Sequence, residues 1–203
     1  KIDELPLPID TISGDGKYAS SFSYRRLEEL MPGYGYKCED KSFLNQNCPK
    51  ETGIFIIDLQ KKSVSMIQDL ANLSKLDTSS SMKNARHFVT HSLFSPDSKK
   101  IAFLHRWIHN DVAKRYSRLI VCDINGDNIQ IIPTDEMVSH YTWDIDSNLI
   151  AYCRKDNIDG HYIFYSERFS KSKLICNEIL NSDGHQHVIP NTRTFVTDTY
   201  PNH

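Results

Sequence analysis

The chain has 203 residues, 39% hydrophobic and 25% charged, a composition that predicts a soluble protein with a real core and argues against disorder. Its formal net charge is −2, with Lys and Arg scattered instead of striped, so no electrostatic footprint for a nucleic-acid backbone is present. The longest apolar runs are strand-sized and the opening KIDELPLPID has no apolar targeting core, which speaks against a membrane partner.

In chain order, the first predicted element is a hairpin over residues 9–21, IDTISGDGKYASS. A segment from Tyr24 to Met31 follows, with helix formers and Leu27, Leu30 and Met31 on one face, stopped by Pro32 and Gly33. It opens an insertion, residues 22–53, whose polar remainder reads as a long loop. A second hairpin is predicted over residues 54–67. Residues 68–88 form a linker in which Leu70, Leu73 and Leu76 suit one or two helical turns.

Residues 91–103, HSLFSPDSKKIAF, form the next hairpin, and the chain spells it again at 140–152 as HYTWDIDSNLIAY and, more loosely, at 185–197 as HQHVIPNTRTFVT. These align without a gap to one another and to residues 9–21, where Ile9 stands in place of the histidine. The apolar alternation gives two strands, and Ser-Pro-Asp-Ser or Ile-Asp-Ser gives the tight turn between them. Between copies, residues 106–114 form a hairpin loop centred on His109, Asn110 and Asp111. A second hairpin module recurs at 54–67, 119–132 and 162–175, aligned on Asp58, Asp123 and Ser166. Two hairpins make a four-stranded antiparallel sheet, and the copies recur at intervals of 49 and then 45 residues. Such units are the blades of a β-propeller. The prediction is an all-β chain of about three and a half blades: 8–67, 89–133, 138–177 and the start of a fourth at 183–203. Because the chain opens on Lys1 and stops inside a fourth repeat, it reads as a fragment.

The five cysteines, Cys38, Cys48, Cys122, Cys153 and Cys176, are odd in number and lack CxxC spacing. Cys122 and Cys153 sit in apolar strand runs, as buried thiols do, which favours a reducing, cytoplasmic compartment. Cys38 and Cys48 share one polar loop and could pair if oxidised.

First strands of successive blades face a common axis, so His91, His140 and His185 are expected to crowd one mouth of the channel, with His187 on the same strand face as His185. Imidazoles converging from separate strands can ligate a divalent metal, or can hydrogen-bond the neighbouring blade. Arg25 and Arg26, Arg118 and Arg154 are candidates to bind a carboxylate, or to form ordinary surface ion pairs. Asp144, Ile145 and Asp146 have the spacing of a nucleotide-sugar metal motif, but the repeat puts them at a turn. No Ser-His-Asp order, phosphate loop or dinucleotide fingerprint is present.

The unit HSLFSPDSKKIAF followed by SRLIVCDINGDNIQII resembles the TolB-like propeller repeat. Residues 137–143 (MVSHYTW), 183–187 (DGHQH) and 197–201 (TDTYP) resemble the oligogalacturonate lyase branch and its relatives in polysaccharide clusters, which often carry a glycosyltransferase label although no transferase fold is visible here. The resemblance implies a seven-bladed propeller acting on an acidic oligosaccharide with a manganese-like ion. It implies His140, His185 and His187 as metal ligands, His91 as the base, and an arginine such as Arg118 as the neutraliser of the substrate carboxylate, while Arg25 and Arg154 stay candidate substrate contacts on residue type and place alone. Where those lyases place a glutamine before the His-x-His pair, this chain has Ser182. Open edge strands further predict self-association.

Overall fold

The computed structural model describes residues 4–37, 43–110 and 114–199. It is mostly β. The first sheet runs β1 (Thr11–Ile12), β2 (Tyr18–Phe22), β3 (Gly53–Asp58) and β4 (Ser63–Asp69), with helix α1 (Tyr24–Leu30) inserted between β2 and β3. After one helical turn, α2 (Leu70–Leu73), the second sheet runs β5 (Arg86–Phe94), β6 (Lys100–Ile108), β7 (Arg115–Asp123) and β8 (Gln130–Ile131). The third runs β9 (Val138–Trp143), β10 (Leu149–Lys155), β11 (Ile158–Phe164) and β12 (Ser172–Leu174), and β13 (His187–Val188) pairs with β14 (Phe195–Val196). Every pairing joins sequence neighbours and is antiparallel. Among the described residues these sheets do not close into a barrel or ring.

The turns explain why the hairpins repeat in register. Ser95 Oγ donates to Asp97 Oδ1, which also accepts from the Lys99 amide. Ser13 and Asp15 repeat this arrangement in the first sheet, and in the third Asp144 Oδ1 accepts from the Asp146 and Asn148 amides. The next residue at the equivalent place is left-handed in all three: Gly16 at φ 71°, Ser98 at 60° and Ser147 at 61°. These short polar side chains bond their own backbone and so hold a turn that apolar residues could not. Asp144, Ile145 and Asp146 are therefore turn residues.

The core is two layers separated by the second sheet. Ile101, Phe103 and Ile120 pack toward Phe22, Leu27, Leu30 and Ile54 of the first sheet and α1. Ala102, Leu104, Leu119 and Val121 pack toward Val138, Trp143, Leu149 and Phe164 of the third. A strand buried on both faces needs apolar residues at successive positions, which is why β6 and β7 read as runs without alternation. Burial of Trp107 and Ile108 extends β6 through the first part of the loop expected over 106–114, so that the connection to β7 begins at His109. Likewise β4 reaches Asp69 and β5 starts at Arg86, shortening the expected 68–88 linker at both ends. Burial pushes the Cys122 and Cys153 thiols up to about 12, so both stay protonated at neutral pH. Cys38, Asp111 and the last residues of the 197–201 motif lie outside the described residues.

Candidate functional site

Between the first strands of the three sheets and the approach to β13 lies a cavity of about 290 Å³ lined by Asp10, His91, Ser92, His140, Tyr141, His185 and Gln186, among others. Each sheet contributes through the same repeat positions. The His140 and His185 ring centroids are 4.3 Å apart and those of His91 and His140 6.2 Å apart.

His91 reaches the cavity because β5 is irregular there. Its pairing with β6 slips between Thr90 and Leu93, and His91 has φ 51°, a conformation that a residue other than glycine adopts under constraint. The bulge is fixed from both sides: the Ser92 amide and hydroxyl donate to Asp10 Oδ2, and the Tyr141 hydroxyl donates to the His91 carbonyl. The buried Nδ1 of His91 has no hydrogen-bond partner. Burial, reinforced by the positive charge of Arg106, pushes this imidazole down to about 3, so it is neutral at physiological pH. Burial also raises the facing Asp10 carboxyl, although hydrogen bonds from Ser92 and Tyr24 pull the other way.

His140 and His185 are each oriented by a carboxylate. His140 Nδ1 lies 3.1 Å from Asp183 Oδ1, and His185 Nδ1 lies 2.9 Å from Asp198 Oδ2. An Nδ1–H donated to a carboxylate places the lone pair on Nε2, the tautomer that such carboxylates impose on metal-binding histidines. Burial alone would raise Asp183, but hydrogen bonds from His140 and Ser139 more than offset it and hold the carboxyl below its usual value.

The structure separates the remaining expected residues from this cavity. His187 is exposed in β13 and takes no part in the wall. The regular strand begins only at His187, so the alternation that would have put His185 and His187 on one face does not extend back to His185, and Gln186 takes the inner place. Arg118 lies elsewhere, with its guanidinium spent on the linker: it donates to the carbonyls of Leu73, Leu76 and Asp77, and its Nε contacts His105 Nδ1. Arg25 sits on α1 beside Glu29 at 4.0 Å, and its neighbour Arg26 is buried against the carbonyls of His87, Phe43, Gln46 and Asn47. Arg154 is exposed and makes a bidentate pair with Asp159 on the adjacent strand. Among the described residues no three His, Cys, Asp or Glu side chains are grouped so as to hold a metal ion.

Two site residues escaped sequence reasoning. Arg106 is 8% exposed, and its Nη2 donates to the Ser139 carbonyl while its buried Nε has no partner. Burial pushes it down to about 10, which leaves it charged at neutral pH beside His91. Gln186 is buried, with Nε2 donating to the Gly184 carbonyl and Oε1 unpartnered. The repeat did hold a signal for the first, since the position fifteen residues beyond His91 is Arg106 and that beyond His140 is Lys155. No equivalent signal marked Gln186. Buried polar atoms without partners are costly, and three beside one cavity fit a polar ligand that would satisfy them.

No family model matches the chain, and no curated protein matches it.

Proposed function

We propose that the chain is part of a TolB-like β-propeller related to the oligogalacturonate lyases, and that its histidine cavity binds an acidic, uronate-containing oligosaccharide. The observation that carries this reading is the meeting of His91, His140 and His185, from equivalent places in successive repeats, in one cavity with a buried arginine beside it. The propeller is supported by four-stranded meanders stacked face to face with their first strands toward that cavity.

A uronate carboxylate suits this environment. Arg106 supplies fixed positive charge in a low-dielectric setting, and Gln186 and the imidazoles supply hydrogen-bond partners for hydroxyl groups. His140 and His185 are the residues that would hold a divalent ion such as Mn²⁺, because their carboxylate partners give them ligating tautomers; His187 lies outside the cavity. Such an ion would neutralise the uronate carboxylate and acidify the adjacent C–H. In the lyase reading, His91 Nδ1 accepts that proton, the electron pair forms a carbon–carbon double bond, and the glycosidic C–O bond breaks with its electrons on the departing oxygen. The role expected of Arg118 passes to Arg106.

A second reading, a non-catalytic glycan-binding propeller, is favoured by the weak basicity of His91. Incubation with oligogalacturonate and Mn²⁺, followed by absorbance of the unsaturated product, separates the two. A rising trace abolished by His91→Asn supports the lyase. A flat trace with sugar binding lost in His140→Ala supports the binder, and sugar binding unchanged in His140→Ala overturns both.

A further inference from the structure

Most polar groups on the wall of the histidine cavity are already committed within the protein. The Ser92 hydroxyl donates to Asp10 Oδ2, the Tyr141 hydroxyl donates to the His91 carbonyl, and the Nδ1 atoms of His140 and His185 are held by Asp183 and Asp198. Two wall residues keep an uncommitted atom: His91 Nδ1 and Gln186 Oε1 are buried and have no hydrogen-bond partner among the described residues. These two atoms differ in kind. An imidazole nitrogen donates or accepts according to its tautomer, whereas an amide oxygen only accepts, in every protonation state of the site.

The direction of the Gln186 amide is fixed by its other end. Nε2 donates to the Gly184 carbonyl at 2.8 Å, and a carbonyl only accepts, so the nitrogen faces Gly184 and the oxygen is the atom left without a partner. Turning the amide over would set Oε1 against the Gly184 carbonyl oxygen. The side chain is 7% exposed, and the backbone that carries it is clamped from two sides. On one side, the Gly184 amide and the Ser139 hydroxyl donate to Asp183, whose carboxylate also holds His140 of β9. On the other, the His185 amide donates to Asp198 Oδ1 at 2.6 Å, and a Cβ on Gly184 would sit 2.1 Å from the Asp198 carbonyl oxygen, so only glycine fits there. The chain thus holds a rigid, acceptor-only group in the cavity wall and leaves it unanswered.

We propose that Gln186 sets the sugar specificity of the cavity: its amide oxygen accepts from one free ring hydroxyl of the bound uronate, so a sugar deoxygenated, O-methylated or O-acetylated at that hydroxyl is rejected. This rests on the acidic-sugar reading of the cavity and adds the group that must accompany the carboxylate. A uronate carboxylate has no proton to donate at neutral pH and cannot answer Gln186, whereas a hydroxyl can. A ligand without that hydroxyl leaves the buried acceptor empty, which is how a polar site excludes an analogue that fits it in shape.

Calorimetric titration with galacturonate and with analogues each lacking one ring hydroxyl tests this. The wild-type chain is expected to bind one analogue at least about tenfold more weakly than galacturonate and the others nearly as well. Gln186→Leu is expected to lose about the same factor on galacturonate and nothing further on that analogue, a coupling to a single hydroxyl that a purely structural role of Gln186 does not produce. Galacturonate methylated at the same hydroxyl should bind the wild-type chain as weakly as the analogue does, and His140→Ala should weaken every sugar alike. The wild-type series needs no variant: if every analogue binds as galacturonate does, the proposal is overturned. A Gln186→Leu loss that is equal on every sugar, or no loss at all, also overturns it, and the cavity reading stands in either case when His140→Ala loses galacturonate. A wild-type chain that does not bind galacturonate overturns the cavity reading and the role of Gln186 together.

Discussion

His87 and His105 lie fully buried in the second sheet, with His87 Nδ1 2.8 Å from His105 Nε2 and Arg118 beside them. Burial pushes His87 down to about 4, and the charges of Arg118 and Arg26 add to it while the Met82 carbonyl opposes; burial likewise holds His105 well below its usual value. Together with His91 these imidazoles are neutral when folded, but accept protons near pH 6.5 when unfolded. Their contribution to stability is therefore complete above about pH 6.5 and is lost as pH falls toward 4, at up to about 1.4 kcal/mol per pH unit for each histidine. Urea unfolding at pH 7 and pH 5 should give a clearly lower midpoint at pH 5; equal midpoints would contradict the buried neutral histidines. The arginines divide by the same logic. Arg118→Ala would orphan three linker carbonyls and should cost about 3 kcal/mol, whereas Arg154→Ala breaks an exposed pair and should cost less than about 1 kcal/mol in the same unfolding measurement.

At the scale of elements, the hairpins were readable because each turn states its geometry in local chemistry. Ser-Pro-Asp-Ser and Asp-Ile-Asp-Ser fix where the strands reverse, and so fix the four-stranded antiparallel sheets. The left-handed position within each turn gives a test: Gly16→Ala should destabilise by about 1 kcal/mol, and Ser147→Gly should be neutral or stabilising by up to that amount, read as shifts in thermal midpoint. A Gly16→Ala variant as stable as the parent would contradict the turn assignment. The repeat position of His91, His140 and His185 was equally readable, and those three line one cavity. Other parts were hidden for physical reasons. Arg118 and Arg106 both lie on strands of the second sheet and look alike in sequence, yet one reaches the linker and the other the Ser139 carbonyl. That difference depends on which neighbour each strand face meets. His187 misled because strand alternation holds only within a regular strand, and the two-residue β13 is too short to include His185.

Across the whole molecule, the second sheet is sealed on both faces, whereas the outer strand β4 leaves Val64 and Met66 exposed at 37% and 40%. β4 pairs with β3 on one side only, and an edge strand with exposed apolar side chains is a template for pairing. Light scattering should show mass rising with concentration, and Met66→Lys should suppress it; a monomer at every concentration would contradict association through open strands. The central claim concerns the cavity, and it is most directly tested by following the imidazole signals of ¹⁵N-histidine-labelled protein during titration with galacturonate. The account predicts that His91, His140 and His185 shift together and saturate together, while His87, His105 and His109 stay in place. Saturating sugar that leaves those three signals unmoved, or that moves the second set instead, would contradict it.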